Sequence, residues 1–110
     1  IQAITTGPIS ITIENENSDK NQGFTLLGDI TVRDDYTQIE GINQKGNLNF
    51  IGTKGGSVTQ MIVSDKDDDE GGNLNLDNSQ IKNAKENIIK KNVNLKDSSI
   101  DNFNKNIIGK

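Results

Sequence analysis

Two clusters in this chain carry side chains able to do chemistry. The run Asp65-Lys66-Asp67-Asp68-Asp69-Glu70-Gly71-Gly72 concentrates carboxylates, and Asp65, Asp67 and Asp69 have the alternating oxygen spacing of an EF-hand calcium loop. That loop needs glycine at its sixth position and a closing glutamate at its twelfth, where this chain has Glu70 and Leu76. The nonapeptide of calcium-binding β-rolls is also absent, so the run reads as a solvated acidic loop that Gly71-Gly72 turns back into the chain. The second cluster, Arg33-Asp34-Asp35-Tyr36, holds the only arginine and the only tyrosine. Solenoid enzymes that cut polysaccharides group aspartates with arginine or lysine on one face. Neighbours on a strand point to opposite faces, so Asp34 and Asp35 converge only across a turn. Cysteine and histidine are both missing, which removes the usual nucleophile–base pairs. The expectation is a protein that is not an enzyme, with no catalytic residue, no metal ligand and no cofactor assigned.

The elements that would position these clusters come from a repeat. The stretch from Asn73 to Lys110 is one unit written twice, Asn73-Leu74-Asn75-Leu76 opening one copy and Asn92-Val93-Asn94-Leu95 the other. Ser79 matches Ser98, Ile81 matches Ile100, Asn83 matches Asn102, Asn87 matches Asn106, and Ile88-Ile89 match Ile107-Ile108. A period of about 19 residues signals stacked repeats, each burying its apolar face against its neighbours. The mismatches agree: Asp77 becomes Lys96, Lys82 becomes Asp101 and Glu86 becomes Lys105. In register, strands about 4.8 Å apart would set those opposite charges over one another.

Weaker copies of the opening signal occur at Ser10-Ile11-Thr12-Ile13, Asp29-Ile30-Thr31-Val32 and Asn47-Leu48-Asn49-Phe50. Each alternates polar and apolar residues, the mark of a half-buried strand. The openings fall at positions 10, 29, 47, 73 and 92, and one insertion at 66–72 accounts for the long step between the third and the fourth. Residues 1–9, with Pro8, form a lead-in or a preceding coil, and residues 10–110 form a single segment of about five coils. Ile81, Ile100, Ile88, Ile107, Leu76 and Leu95 are expected to point inward and stack. Asn47, Asn73 and Asn92 should form one amide ladder and Asn49, Asn75 and Asn94 another, as in cross-β assemblies.

Composition fits a narrow core rather than a globule: 30% of residues are hydrophobic and 4% aromatic. The net charge of −4 divides into −7 over residues 1–72 and +3 over residues 73–110. That balance argues against a nucleic-acid partner, which needs a basic stripe. No apolar run is long enough for a membrane span. The missing initiator methionine and signal peptide suggest an internal piece of a longer protein.

A helical period competes with the strand reading. Ile81, Ala84, Ile88 and Ile89 also fit one face of a helix, and Leu74-x-Leu76-x-x-Ser79-x-Ile81 is close to a leucine-rich core. Asparagine and β-branched isoleucine are poor helix formers, however, and one unit is long enough for three short strands and three turns. Phe24 and Leu26, Ile39 and Ile42, and Met61 to Val63 likewise fit short strands between polar corners. The fold class expected is all-β, a parallel β-helix (solenoid) with coils of roughly 18–19 residues.

The unit from Asn73 to Ile89, repeated from Asn92 to Ile108, resembles the haemagglutinin repeat of filamentous-haemagglutinin-like exoproteins. In that family an Asn/Asp-Leu-x-Leu strand precedes a Ser-x-Ile/Val step, a small residue and an apolar pair. The chain departs from it at the corner, placing Lys85-Glu86 and Asn104-Lys105 where the family often has Gly-Gly. The resemblance implies a right-handed parallel β-helix in a long secreted Gram-negative protein exported by two-partner secretion: an adhesin, cytolysin or contact-dependent inhibition protein. Expected partners are a host or neighbouring-cell surface receptor or glycan, the outer-membrane transporter during secretion, and adjoining repeats of the same chain. Localisation would be secreted or at the bacterial cell surface. A carbohydrate-binding or -cleaving β-helix such as a phage tailspike fragment is the alternative, with a leucine-rich recognition module behind it.

Overall fold

The computed structural model describes residues 11–13, 20–22, 25–65 and 71–109. The lead-in with Pro8, the opening Ser10, Phe24, and the middle of the acidic run from Lys66 to Glu70 lie outside them. The described residues contain strands, turns and bends and no helix, so the leucine-rich reading is set aside. Five successive coils each contribute three short strands. They are β1 (Ile11–Ile13), β2 (Lys20–Gln22) and β3 (Thr25–Leu27), then β4 (Ile30–Val32), β5 (Gln38–Glu40) and β6 (Asn43–Lys45). The third coil holds β7 (Leu48–Ile51), β8 (Lys54–Thr59) and β9 (Ile62–Ser64). The fourth holds β10 (Leu74–Asp77), β11 (Gln80–Lys85) and β12 (Ile88–Ile89), and the fifth β13 (Val93–Lys96), β14 (Ser99–Asn104) and β15 (Ile107–Ile108).

Equivalent strands pair in parallel from coil to coil, giving three five-stranded sheets ordered β1-β4-β7-β10-β13, β2-β5-β8-β11-β14 and β3-β6-β9-β12-β15. The molecule is a parallel β-helix. Its register is the one the repeat requires: Leu74 lies over Leu48 and Val93, Ile81 over Ile100, and Ile88-Ile89 over Ile62-Val63 and Ile107-Ile108. Asp77 faces Lys96 in the ladder, and the pairing of Asn83 with Asn102 sets Lys82 next to Asp101.

A narrow apolar column fills the interior: Ile30, Val32, Ile39, Ile42, Leu48, Phe50, Val58, Met61, Val63, Leu74, Leu76, Ile81 and Ile89 are buried in one cluster. Packing is complementary in size. Gly56 replaces a side chain between Phe50 and Ile81, and a Cβ there would lie 3.8 Å from the Phe50 ring, 3.6 Å from Ile81 Cδ1 and only 2.9 Å from the Thr37 carbonyl oxygen. Of the six residues expected inside, Ile81 and Leu76 are buried. Ile88 is not: Asn87 turns inward after the corner, so strict alternation sends Ile88 outward and Ile89 in. The same shift in the last coil leaves Ile107 at 61% exposure, while Leu95, at 49%, stands in the inward column on the edge strand of its sheet. Ile100 is partly buried against the core for the same reason.

Corners are made by left-handed residues stacked in columns. Gly41 (φ 66°), Gln60 (φ 52°), Glu86 (φ 58°) and Lys105 (φ 56°) form one, and Gly52 (φ 62°), Asn78 (φ 51°) and Asp97 (φ 49°) another. Backbone N–H groups at these positions donate to the adjoining coil, as from Glu86 to the Asn104 carbonyl and from Asn78 to the Lys96 carbonyl. The turn at Lys85-Glu86 and Asn104-Lys105 is therefore as tight as a glycine corner, at a cost of roughly 1–2 kcal/mol per left-handed side chain.

The third corner depends on close backbone approach. A Cβ on Gly46 would sit 2.2 Å from the Gly28 carbonyl oxygen and 2.5 Å from its carbon. Gly46→Ala is expected to lower unfolding free energy by about 2–3 kcal/mol, because backbone rather than a flexible side chain must give way. Urea denaturation checks this, with Gly41→Ala as a comparison: nothing lies within 4 Å of a Cβ there, so only its left-handed backbone opposes the change.

Candidate binding surface

The side chains that the repeat preserves are spent first on holding coils together. At the corner before β4, β7, β10 and β13, Asp29 Oδ1 accepts the Asn47 N–H at 2.8 Å, Asn47 Oδ1 accepts the Asn73 N–H at 3.1 Å, and Asn73 Oδ1 accepts the Asn92 N–H at 3.2 Å. The second expected ladder is also present: Asn75 Nδ2 donates to Asn49 Oδ1 at 2.9 Å and Asn94 Nδ2 to Asn75 Oδ1 at 2.8 Å.

Three further ladders go beyond the two that the opening strands predict. Buried Asn87 accepts the Met61 N–H at 3.0 Å and donates from Nδ2 to the Val58 carbonyl at 3.0 Å and to Asn106 Oδ1 at 2.8 Å. Ser79 Oγ accepts the Thr53 N–H at 3.1 Å, and Ser98 Oγ accepts the Ser79 N–H at 2.9 Å. Asn102 Nδ2 donates to Asn83 Oδ1 at 3.1 Å. Their signal in the sequence is identity: Ser79/Ser98, Asn83/Asn102 and Asn87/Asn106 match while exposed neighbours reverse charge.

The Arg33-Asp34-Asp35-Tyr36 cluster is a corner. Arg33 is exposed, Asp34 buried and Asp35 half-buried. Asp35 Oδ1 accepts the Lys54 N–H at 3.0 Å, and the Asp34 carbonyl accepts the Thr37 hydroxyl at 3.0 Å. The Tyr36 ring covers Gly55, where a Cβ would fall 2.4 Å from Cδ1. The Asp35 carboxylate is thus tied to the backbone of the next coil, while Asp34 joins the corner through its backbone carbonyl. Among the described residues, no three acidic side chains stand close enough to share a metal ion.

The two ends of the acidic run meet at a narrow neck. Asp67, Asp68, Asp69 and Glu70 lie outside the described residues, while Asp65 and Gly71 form an antiparallel bridge. Gly72 belongs to the coil. Its N–H donates to the Gly46 carbonyl at 3.0 Å and its carbonyl accepts the Lys91 N–H at 3.0 Å, the corner position that Gly46 holds one coil earlier. The insertion thus runs from Asp65 to Gly71, one position earlier than the repeat alignment places it. Deleting 65–71 is expected to leave the melting temperature within a few degrees of the parent. Deleting 66–72 removes Gly72 from its column and should lower it by roughly 5 °C or more. Paired thermal melts decide, and equal losses would place Gly72 in the loop after all.

Among the described residues, two concavities open on the polar exterior. One, about 320 Å³, lies on the outer face of the sheet containing β5, β8, β11 and β14, where Gln38, Ser57, Asn83 and Asn102 run beside Glu40, Thr59, Lys85 and Asn104. The other, about 490 Å³ and shallower, follows the hydroxyl corner past Thr53, Ser79, Gln80, Asp97 and Ser98. Both offer amides and hydroxyls in rows at the coil spacing. That chemistry suits weak, repeated hydrogen bonding to an extended polar ligand.

No family profile, curated protein or solved structure matches this chain. No helix among the described residues is long and apolar enough to cross a membrane.

Proposed function

We propose that this chain is part of the non-enzymatic shaft or binding segment of a large secreted bacterial adhesin or exoprotein of the filamentous-haemagglutinin type. In this reading two-partner secretion delivers the protein to the cell surface, where it mediates adhesion or holds a distal effector away from the cell. The observation that supports it is the use of the repeat's preserved polar side chains: Asn47, Asn73, Ser79, Asn87 and their counterparts bond one coil to the next. A chain built this way extends by adding coils, which is what a shaft requires. The resemblance of the repeated unit to the haemagglutinin repeat supplies the family. The partners that follow are a surface receptor or glycan, for which the polar rows at Gln38, Asn83 and Asn102 offer contacts, and an outer-membrane transporter during export.

Antiserum raised against the chain should label intact cells that produce it, and disrupting the transporter should abolish the label. Label that appears only after permeabilisation would overturn surface display. The tailspike alternative predicts a different result, a stable trimer whose isolated form shortens a polysaccharide.

A further inference from the structure

Tyr36 is an aromatic side chain that the core does not use. Phe50 is buried and Phe103 pairs with inward-facing Ala84, whereas Tyr36 is 54% exposed at the corner before β5. Its backbone is left-handed (φ 61°), which a bulky side chain adopts only at a cost, and it belongs to neither column of stacked corner residues. The next coil makes room for it. The Tyr36 N–H donates to the Lys54 carbonyl at 2.7 Å, which sets the ring beside Gly55. Gly55 is itself left-handed (φ 79°) and sits at the bulge where β8 meets β11. A Cβ there would fall 2.5 Å from Cε1 of the ring. Two unusual backbone conformations are thus matched to hold one aromatic ring at the surface.

The ring adjoins the head of the corner concavity. Lys54 pairs with Gln80 and Gln80 with Ser99, so this row continues from Tyr36 along the following coils, with Thr53, Ser79 and Ser98 beside it. Ser79 and Ser98 spend their hydroxyls on the stack: each accepts a backbone N–H and donates to the carbonyl of Asp77 or Lys96. Thr53 does not. Its side chain is 4% exposed, its hydroxyl has no hydrogen-bond partner, and it lines the same concavity. A buried polar group left unpaired is costly, and a ligand that supplies the partner recovers that cost.

We propose that the Tyr36 ring and the trough beginning at Thr53 form a binding site for a neutral oligosaccharide laid along the solenoid axis. A sugar ring has an apolar face that stacks on an aromatic ring and a rim of hydroxyls that pair with amides and hydroxyls. Lys54 and Asp97 are the charged residues of the trough, one of each sign, so it favours neither an anionic nor a cationic chain. From Tyr36 to Ser99 is three coil steps of about 4.8 Å, room for a short oligosaccharide rather than a single sugar. The site gives a ligand class to the binding segment proposed above and rests on that reading only for its setting. It lies apart from the rows at Gln38, Asn83 and Asn102.

The chain has one tyrosine and no tryptophan, so its ultraviolet fluorescence reports on Tyr36 alone. Titrating the full chain with cellotetraose, maltotetraose and chitotetraose should give, for at least one, a saturable change in emission and a matching calorimetric isotherm. Tyr36→Gly suits the left-handed backbone and should keep the circular dichroism of the parent, yet weaken that binding about tenfold or more. Tyr36→Phe should stay within about threefold by calorimetry. Thr53→Val removes only the unpaired hydroxyl: it should melt no lower than the parent and weaken binding severalfold. No saturable change with any of the three sugars, or binding undiminished in Tyr36→Gly or Thr53→Val, would overturn the proposal. Tighter binding of a heparin tetrasaccharide would overturn the neutral assignment. Labelling of intact cells is read separately, so a failure of surface display and a failure of this site are told apart.

Discussion

Asn87→Ala is expected to lower the unfolding free energy by about 3–4 kcal/mol, read from urea denaturation. The side chain is fully buried and closes bonds in both stacking directions: Met61 N–H below, Asn106 Oδ1 above, and the Val58 carbonyl within the interior. Alanine leaves a buried donor and a buried acceptor without partners, each worth about 1–3 kcal/mol. Asn87→Asp sharpens the test. An aspartate keeps an acceptor for Met61 but sets oxygen against the Val58 and Asn106 oxygens, so its buried carboxyl should titrate above the unfolded value. Protonation is then favoured in the folded state. The variant should be weakest at neutral pH and regain stability as pH falls through the raised folded value. A variant indifferent to pH between about 4 and 7 would argue that the side chain has moved out to water.

The second large effect is positional. Ile81→Asp should abolish cooperative folding at neutral pH, whereas Ile100→Asp, at the matching place one coil later, should leave a folded protein weakened by only about 1–2 kcal/mol. Ile81 is enclosed between the third and fifth coils, and an unpartnered carboxylate there would cost several kcal/mol. Ile100 is covered from one side only and can release the charge to water. Circular dichroism at several urea concentrations separates the two. Equal losses would mean that the fifth coil is as enclosed as the fourth.

The fold was legible because period and alternation are properties of sequence alone. The opening strands could be aligned from Ile11 to Val93, and the two amide ladders starting at Asn47 and Asn49 followed from register. What escaped lay at the corners. Nothing in Lys85-Glu86 announces that Glu86 adopts φ 58°, and that one turn decides whether Ile88 or Ile89 faces inward. Ser79 and Asn87 were visible as matched positions, yet their direction of bonding depends on which coil's N–H the corner exposes. The boundary of the insertion was off by one position, since Gly71 and Gly72 are the same letter and only Gly72 bonds across the coils. The outer concavity was hardest to foresee, because its rows combine residues from coils that share little identity, such as Gln38, Ser57 and Asn83.

The neck at Asp65 and Gly71 has a practical consequence. The chain departs from one coil and rejoins the next through two residues already bridged to each other, with Gly72 and Asn73 fixed to Gly46 and Asn47 beyond it. The scaffold senses the separation of those two points, not the length of polypeptide spanning them. For loops in general, each doubling of length adds only about 0.6 kcal/mol of closure entropy. The site is thus a natural place to graft an epitope, a protease tag or a small folded domain whose ends lie close together, carried at this corner of the solenoid without a break in its stacking.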